Sequence, residues 1–216
     1  MTAAARLIAV LGRELAVEAS GRHLSRVAAP FALAGVLLAG LAFGPVPSVL
    51  RGVAPGLPWL VVLLLAASLS LTVAVAEQED GCWDLLRCLA GPGPLLGGKL
   101  IAMWVWLAAT WAVTAGLGVV VLGVGLSPAA VPAALLGTLG LAAAVVVYGT
   151  TVAAAGRSGT GLLTALILPA GLPARLAGTQ AGTPGVDPVP WLALLVAYDL
   201  AGLAVAWAVF PTLLEE

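Results

Sequence analysis

Long apolar stretches alternate with short polar stretches along the chain, and this pattern predicts six membrane-spanning helices. A helix needs about 20 apolar residues to cross a hydrocarbon core of roughly 30 Å, where unpaired backbone amides are not tolerated. The predicted spans are residues 27–43, 57–76, 100–125, 129–155, 159–176 and 191–210. We therefore expect an all-α integral membrane protein with one membrane domain and a short tail, residues 211–216.

Residues 1–26, before the first span, are predicted to form an amphipathic helix on the inner membrane surface. Its apolar stripe covers about 100° of one helical face and consists of Leu7, Ile8, Leu11 and Leu15. Arg6 and Arg13 lie on the opposite side. Glu14 and Glu18 fall beside the stripe, so packing against a protein partner is the alternative to lipid anchoring.

The polar stretch after the second span, residues 77–98, is predicted to hold a short cytoplasmic helix that contacts a partner. It carries five of the chain's nineteen charged residues, whereas residues 37–76 carry only Arg51. At helical spacing, one face holds Trp83, Leu86 and Ala90, and another holds Asp80, Asp84 and Arg87. The candidate docking residues are Glu79, Asp80, Trp83, Asp84, Leu86 and Arg87. The alternatives are a solvated loop, or a tryptophan at the membrane interface.

The fifth span is interrupted by Pro169 and Pro173, each of which removes a backbone donor and clashes with the preceding turn. We expect this span to be kinked or partly unwound, with a re-entrant outer half as the alternative. The glycines and prolines of residues 178–190 predict an external loop without regular structure.

Asp199 lies eight residues into the last span, where an ionised carboxylate is costly. It is therefore expected to face the bundle interior or an aqueous path. Handling of a proton or substrate is one interpretation. A carboxyl group that is protonated, or bonded to a hydroxyl such as that of Tyr148 or Tyr198, is the other.

Composition supports a membrane protein and argues against other classes. The chain is 62% hydrophobic and 9% charged, with a mean hydropathy of +1.13, whereas a soluble domain is about 25% charged. A net charge of −1 without a basic stripe argues against nucleic-acid binding. The spans contain no Cys-His, Ser-His or two-carboxylate arrangement, so the sequence gives little support to intramembrane hydrolysis.

The two cysteines and a glycine-rich stretch before Lys99 resemble functional sites, but we expect neither a disulfide or metal site nor a phosphate-binding loop. Cys82 and Cys88 would point about 120° apart on a helix, and the single histidine, His23, is distant in sequence, so we expect free thiols. Residues 93–100 approach a phosphate-binding loop but lack the serine or threonine after Lys99. Lys99 is expected to anchor the third span, with its stem buried and its ammonium in water.

The distribution of positive charge predicts the orientation. With the amino terminus inside, seven arginines and lysines lie in inner segments and only Arg51 and Arg175 in outer ones. Both termini are then cytoplasmic. Trp59 and Trp191 begin spans at the predicted outer boundary, and Trp207 lies near an inner one, as interfacial tryptophans do.

Several short motifs, in their order and spacing, resemble the haem exporter protein B family, the CcmB-type permease subunit of cytochrome c maturation systems. The motifs are Gly12-Arg13-Glu14-Leu15, Val53-Ala54-Pro55-Gly56, Glu79-Asp80-Gly81 with Leu85-Leu86, Pro92-Gly93-Pro94 followed by Lys99, and Leu166-Ile167-Leu168-Pro169. The resemblance covers nearly the whole chain.

The resemblance implies a non-catalytic ABC exporter-type permease in the bacterial cytoplasmic membrane, with no directly bound cofactor and with ATP bound by a separate CcmA-type ATPase. In such permeases a coupling helix in the first cytoplasmic loop docks on the ATPase, which here corresponds to residues 80–90. Implied partners are a CcmC-type haem-handling protein, a small CcmD-type subunit, a CcmE-type haem chaperone and membrane lipid. A homodimer is left open. Haem is then the handled substrate, or ATP hydrolysis releases the haem-loaded chaperone.

Two alternatives come from the residues themselves. A scaffold without transport activity is suggested because His23 precedes the first span and Met103 is the only methionine inside one, so no haem ligand set is evident. A secondary or proton-coupled transporter is suggested only by Asp199.

Overall fold

The structure is a computed structural model that describes residues 3–21, 29–44, 46–79, 92–154 and 160–215. All regular structure in these ranges is helical, as predicted. The helices are α1 (Ala3–Gly21), α2 (Ala29–Phe43), α3 (Pro47–Val53), α4 (Leu57–Glu79), α5 (Pro92–Leu122), α6 (Ala130–Ala154), α7 (Thr160–Ala170), α8 (Leu172–Gly182) and α9 (Val189–Glu215). A 3-10 turn, Ala54–Gly56, joins α3 to α4.

Four segments of the described chain are long and apolar enough to cross a membrane. They are Pro47–Ala67, Pro92–Leu122, Ala130–Thr151 and Val189–Thr212. Helix α2 is apolar but has only 15 residues, or about 22 Å of helix, which is short for a crossing. The chain is thus a multi-pass membrane protein, and six complete crossings stay a prediction.

The fifth predicted span is two helices of 11 residues each, α7 and α8, which meet at Gly171. Pro173 has no N–H group for the carbonyl of Pro169, so an unbroken helix cannot pass this point without losing a bond. The predicted loop was wrong over its first five residues, because Gly178 to Gly182 complete α8. That loop is reduced to residues 183–188, since α9 begins at Val189.

Helix α5 begins eight residues before the predicted third span, so residues 92–98 are helical rather than part of a loop. Pro92 and Pro94 fall in the first turn, where a backbone N–H has no helical acceptor and its loss costs nothing. Helix α5 therefore starts with its two prolines, directly after the predicted docking segment. At its other end α5 stops at Gly123, whose φ of +66° favours glycine.

Helix α6 forms the centre of the bundle. It packs most extensively against α9 and also contacts α4, α5, α7 and α8. Of its membrane-length window 67% is buried, compared with 17% for α9. Glycines and alanines, among them Gly137 and Gly140, allow these close approaches because they add little or no side chain between the backbones.

The two ends of the bundle carry different structures. At one end α1 packs against the beginning of α5, and we call this the α1 end. At the other, the 3-10 turn and the two loops at residues 123–129 and 183–188 surround a small cavity lined by Pro55, Gly125 and Pro184, and we call this the loop end. The charge distribution predicts that the α1 end is cytoplasmic.

Candidate functional site

Helix α1 is seated on a notch in the first turns of α5. Gly97 and Gly98 form the notch: a Cβ atom at Gly98 would lie 2.5 Å from Val10 Cγ1, and one at Gly97 would lie 3.1 Å from Leu7 Cδ1. Val10 is only 6% exposed, whereas Ile8 is 66% exposed. Part of the predicted lipid-facing stripe therefore packs on protein, and Ile8 remains available to lipid.

An ion pair closes the same contact. Lys99 Nζ lies 3.4 Å from Glu14 Oε1, and the Lys99 residue is 7% exposed. The expectation of an ammonium in water was wrong, because α5 begins early and places Lys99 two turns inside the helix, against α1. Glu14, which interrupted the apolar stripe in the sequence, is the partner of this buried lysine.

The predicted coupling residues fall where α4 and α5 are joined. Helix α4 ends at Glu79 and α5 begins at Pro92. Asp80, Trp83, Asp84, Leu86 and Arg87 lie outside the described residues, as do both cysteines and His23. The structure therefore places the carboxyl end of this segment at the first turn of α5, which precedes the residues Gly97, Gly98 and Lys99 that contact α1.

Asp199 is buried in the interface between α9 and α6. It is 4% exposed, and Oδ1 lies so close to Gly140 that a Cβ there would be 2.5 Å from it. Among the described residues neither carboxylate oxygen has a hydrogen bond of normal geometry, although the Gly140 backbone adjoins the group. Because Gly140 has no side chain, the carboxyl group of Asp199 fits between α6 and α9 at this position.

The neighbouring hydroxyl is engaged elsewhere. Tyr198 donates a hydrogen bond of 2.9 Å to the backbone oxygen of Ala170, the last residue of α7. A buried backbone carbonyl needs a hydrogen-bond donor, and the Ala170 carbonyl lies where α7 ends and the fifth span is interrupted. The Tyr198 hydroxyl provides that donor. The alternative in which Tyr198 holds the Asp199 carboxyl was therefore wrong, and Tyr198 instead ties α9 to the end of α7.

Trp59 fixes α8 to the rest of the loop end. Its ring is 2% exposed and lies between Gly137 of α6 and Gly178 of α8; Cβ atoms at these glycines would lie 2.5 and 2.1 Å from ring atoms. Trp59 lies near the start of α4 at the loop end, and its ring is packed between helices because glycines on both neighbours provide a slot for an indole ring, so its position at the outer membrane boundary stays a prediction. The sequence signal was the pair of glycines, which cannot be matched to one tryptophan without the fold.

The described residues contain no group of three histidine, cysteine, aspartate or glutamate side chains that could hold a metal ion. Met103 is buried in the core, at 5% exposure. The buried ionisable residues among those described are Lys99, paired with Glu14 at the α1 end, and Asp199 inside the bundle, and the structure does not bring them together in one site.

An all-helical bundle with several membrane-length helices and no soluble domain among its described residues defines a multi-pass membrane protein. Residues 5–215 match the family model described as CcmB protein. The chain is 33% identical over 207 residues to Heme exporter protein B of Paracoccus denitrificans, covering 92% of this chain and 93% of that protein. The chain belongs to the CcmB family, and the resemblance inferred from its motifs is confirmed.

Proposed function

We propose that the chain is the membrane permease subunit of an ABC transporter for cytochrome c maturation, with both termini in the cytoplasm. A separate ATPase hydrolyses ATP, and the movement drives haem export or the release of a haem-loaded chaperone. The observation that carries this proposal is the family match over nearly the whole chain, together with the name of the Paracoccus relative. The chain itself is the non-catalytic subunit.

The arrangement at the α1 end supports a mechanical role. Residues 80–91 lead directly into the first turn of α5, so a displacement of that segment acts on Pro92. Helix α1 is held to the same turns by Gly98 and by the ion pair of Lys99. Packed helices shift as units because their interiors are dense, so α1 and the start of α5 move together. That movement reaches α4 and α6, on which α5 packs.

The proposed partners follow from this role. The CcmA-type ATPase docks on residues 80–90 through the apolar face of Trp83 and Leu86, with Asp80, Asp84 and Arg87 forming the charged rim. The CcmC-type, CcmD-type and CcmE-type proteins complete the assembly. A buried aromatic anchor surrounded by charges is the usual composition of a protein contact of this size.

The test compares two leucines that are adjacent in sequence. On a helix over this segment, Leu86 shares a face with Trp83, whereas Leu85 lies about 130° from the centre of that face. Leu86→Asp and Trp83→Ala are expected to abolish co-purification of the ATPase and the yield of cytochrome c. Leu85→Asp introduces the same charge and is expected to retain both.

Membrane abundance of each variant is measured alongside, so that a folding defect is recognised. Normal ATPase association and normal cytochrome c yield in both Leu86→Asp and Trp83→Ala would refute the docking site. An equal loss of ATPase association and cytochrome c yield in Leu85→Asp would show that a charge at either leucine of this segment is disruptive. That result would also remove the support for a docking face formed by Trp83 and Leu86.

Asp199 favours a second candidate function, a proton-coupled carrier. The carboxyl is 4% exposed in the bundle and lacks a hydrogen bond of normal geometry among the described residues. Buried carboxyls of this kind mark proton relays in many transporters. The two candidates differ in what Asp199→Asn does, because an ATP-driven permease does not require that residue to exchange a proton.

A further inference from the structure

A groove with an exposed apolar wall at the loop end is not used by the proposed function. It lies between α8, the beginning of α9 and the 3-10 turn, and has a volume of about 720 Å³. Its apolar wall includes Leu172, Leu176 and Leu194, which are 50%, 55% and 43% exposed. Its polar lining is Arg175, Thr179 and Gln180. This volume is within the range of about 300–1,000 Å³ that is usual for small-molecule sites.

The break in the fifth span produces this groove. Helices α7 and α8 each rise only about 16 Å, so neither fills the membrane thickness alone. Trp59 holds α8 against α6 from the inner side, through Gly178. The opposite side of α8, with Leu172 and Leu176, is left as the wall of a concave surface.

The charge in the groove is unbalanced. Within the described part of the chain, Arg175 is the only ionisable residue that lines the groove, and no carboxylate lies within ion-pair distance of its guanidinium. Asp187, an acidic residue in the loop before α9, accepts a hydrogen bond of 3.1 Å from the Val189 N–H at the start of α9. An arginine with neutral donors beside it fits a phosphate group, which takes two parallel N–H bonds from a guanidinium.

We propose that this groove binds one anionic phospholipid, with the phosphodiester at Arg175 and an acyl chain along Leu172, Leu176 and Leu194. The groove lies on an apolar face, so a chain can enter from the bilayer. A zwitterionic headgroup would need a partner for its cation, and none of the described residues that line the groove is acidic. The bound lipid completes the surface that the two short helices leave open.

A porphyrin dianion is the competing occupant. It brings two carboxylates and a metal that prefers histidine, methionine, cysteine or tyrosine ligands. The described lining offers one cation and none of these four residue types. A lipid with one phosphate matches the single arginine better, and the lipid proposal does not depend on what the chain transports.

The experiment uses the full chain purified in mild detergent and counts bound lipids by native mass spectrometry. Phosphatidylglycerol and phosphatidylcholine are added in parallel, and haemin binding is followed by its absorbance. We expect one retained phosphatidylglycerol, bound at least tenfold more tightly than phosphatidylcholine. Arg175→Gln should lower that affinity tenfold or more, and thermal stabilisation by phosphatidylglycerol should be lost with it.

Arg51→Gln is the matched control, because Arg51 is an exposed arginine at the same end that does not line the groove. It should bind phosphatidylglycerol as the unaltered chain does. Leu176→Trp, which fills the groove and keeps the charge, should also weaken binding. Equal lipid retention in Arg175→Gln, no preference for the anionic lipid, or haemin binding that depends on Arg175 would each overturn the proposal.

Discussion

Replacing Gly178 by alanine tests the slot that holds Trp59. The added Cβ would lie 2.1 Å from Cζ2 and 2.2 Å from Cε2 of the ring, whereas ordinary contact begins at 3.4 Å. The ring cannot simply retreat, because its other edge lies against Gly137, where a Cβ would be 2.5 Å away. The helices themselves must separate.

Overpacking of this kind costs about 1–3 kcal/mol. We expect Gly178→Ala to fall at the upper end, about 2–3 kcal/mol, since backbone bounds the ring on both sides. The assay is reversible unfolding in mixed micelles, followed by circular dichroism. Gly116→Ala is the control, because no heavy atom lies within 4 Å of the Cβ position there. The control should be neutral, or more stable by up to about 1 kcal/mol.

A double variant separates this clash from a general effect on α8. Trp59→Leu removes the ring, so Gly178→Ala should cost at least about 1 kcal/mol less in that background. Additive losses would mean that Trp59 is not what Gly178 accommodates. A Gly178→Ala variant as stable as Gly116→Ala would refute the slot altogether.

Two further substitutions test the polar contacts. Lys99→Met should weaken the packing of α1 on α5 by about 1–2 kcal/mol, which is less than for a fully buried pair because the Glu14 side chain is 20% exposed. Faster hydrogen exchange of the α1 amides would report this loss. Arg13→Met, which breaks an exposed pair to the same glutamate, is the control and should change the exchange little. Asp199→Asn keeps the shape of the side chain and should preserve cytochrome c yield, as should the exposed control Asp187→Asn. Loss of yield in Asp199→Asn alone, at normal abundance, would favour the proton-coupled carrier.

The apolar runs were enough to predict the long helices α4, α5, α6 and α9, because a membrane helix has to satisfy its own backbone and this leaves a long signal in composition. The interruption at Pro169 and Pro173 was also predictable, since proline acts locally. The residues at which helices begin and end were harder to predict from the sequence. The third span was predicted to start at residue 100, whereas α5 starts at Pro92, because proline is well suited to a first helical turn and the polar sequence before residue 100 does not reveal the packing of α1 on Gly98.

The partners of polar residues could not be predicted from spacing. Lys99 and Glu14 are 85 residues apart, and nothing local joins them. Tyr198 was a plausible partner for its neighbour Asp199, yet adjacent residues on a helix point in different directions, and its hydroxyl meets Ala170. The docking residues from Asp80 to Arg87 stay predictions, because they lie outside the described residues.

The seat of α1 on α5 has a consequence for synthesis of the chain. The ribosome makes Glu14 85 residues before Lys99, which at about 5–20 residues per second is a delay of about 4 to 17 s. During that time α1 has no notch to occupy, and its apolar stripe needs another surface. The bilayer beside the insertion site provides one. The interfacial helix expected from the sequence would then describe α1 at an early stage of biogenesis. Packing of α1 on α5 replaces the contact with the bilayer after Gly97 and Gly98 have been synthesised and inserted.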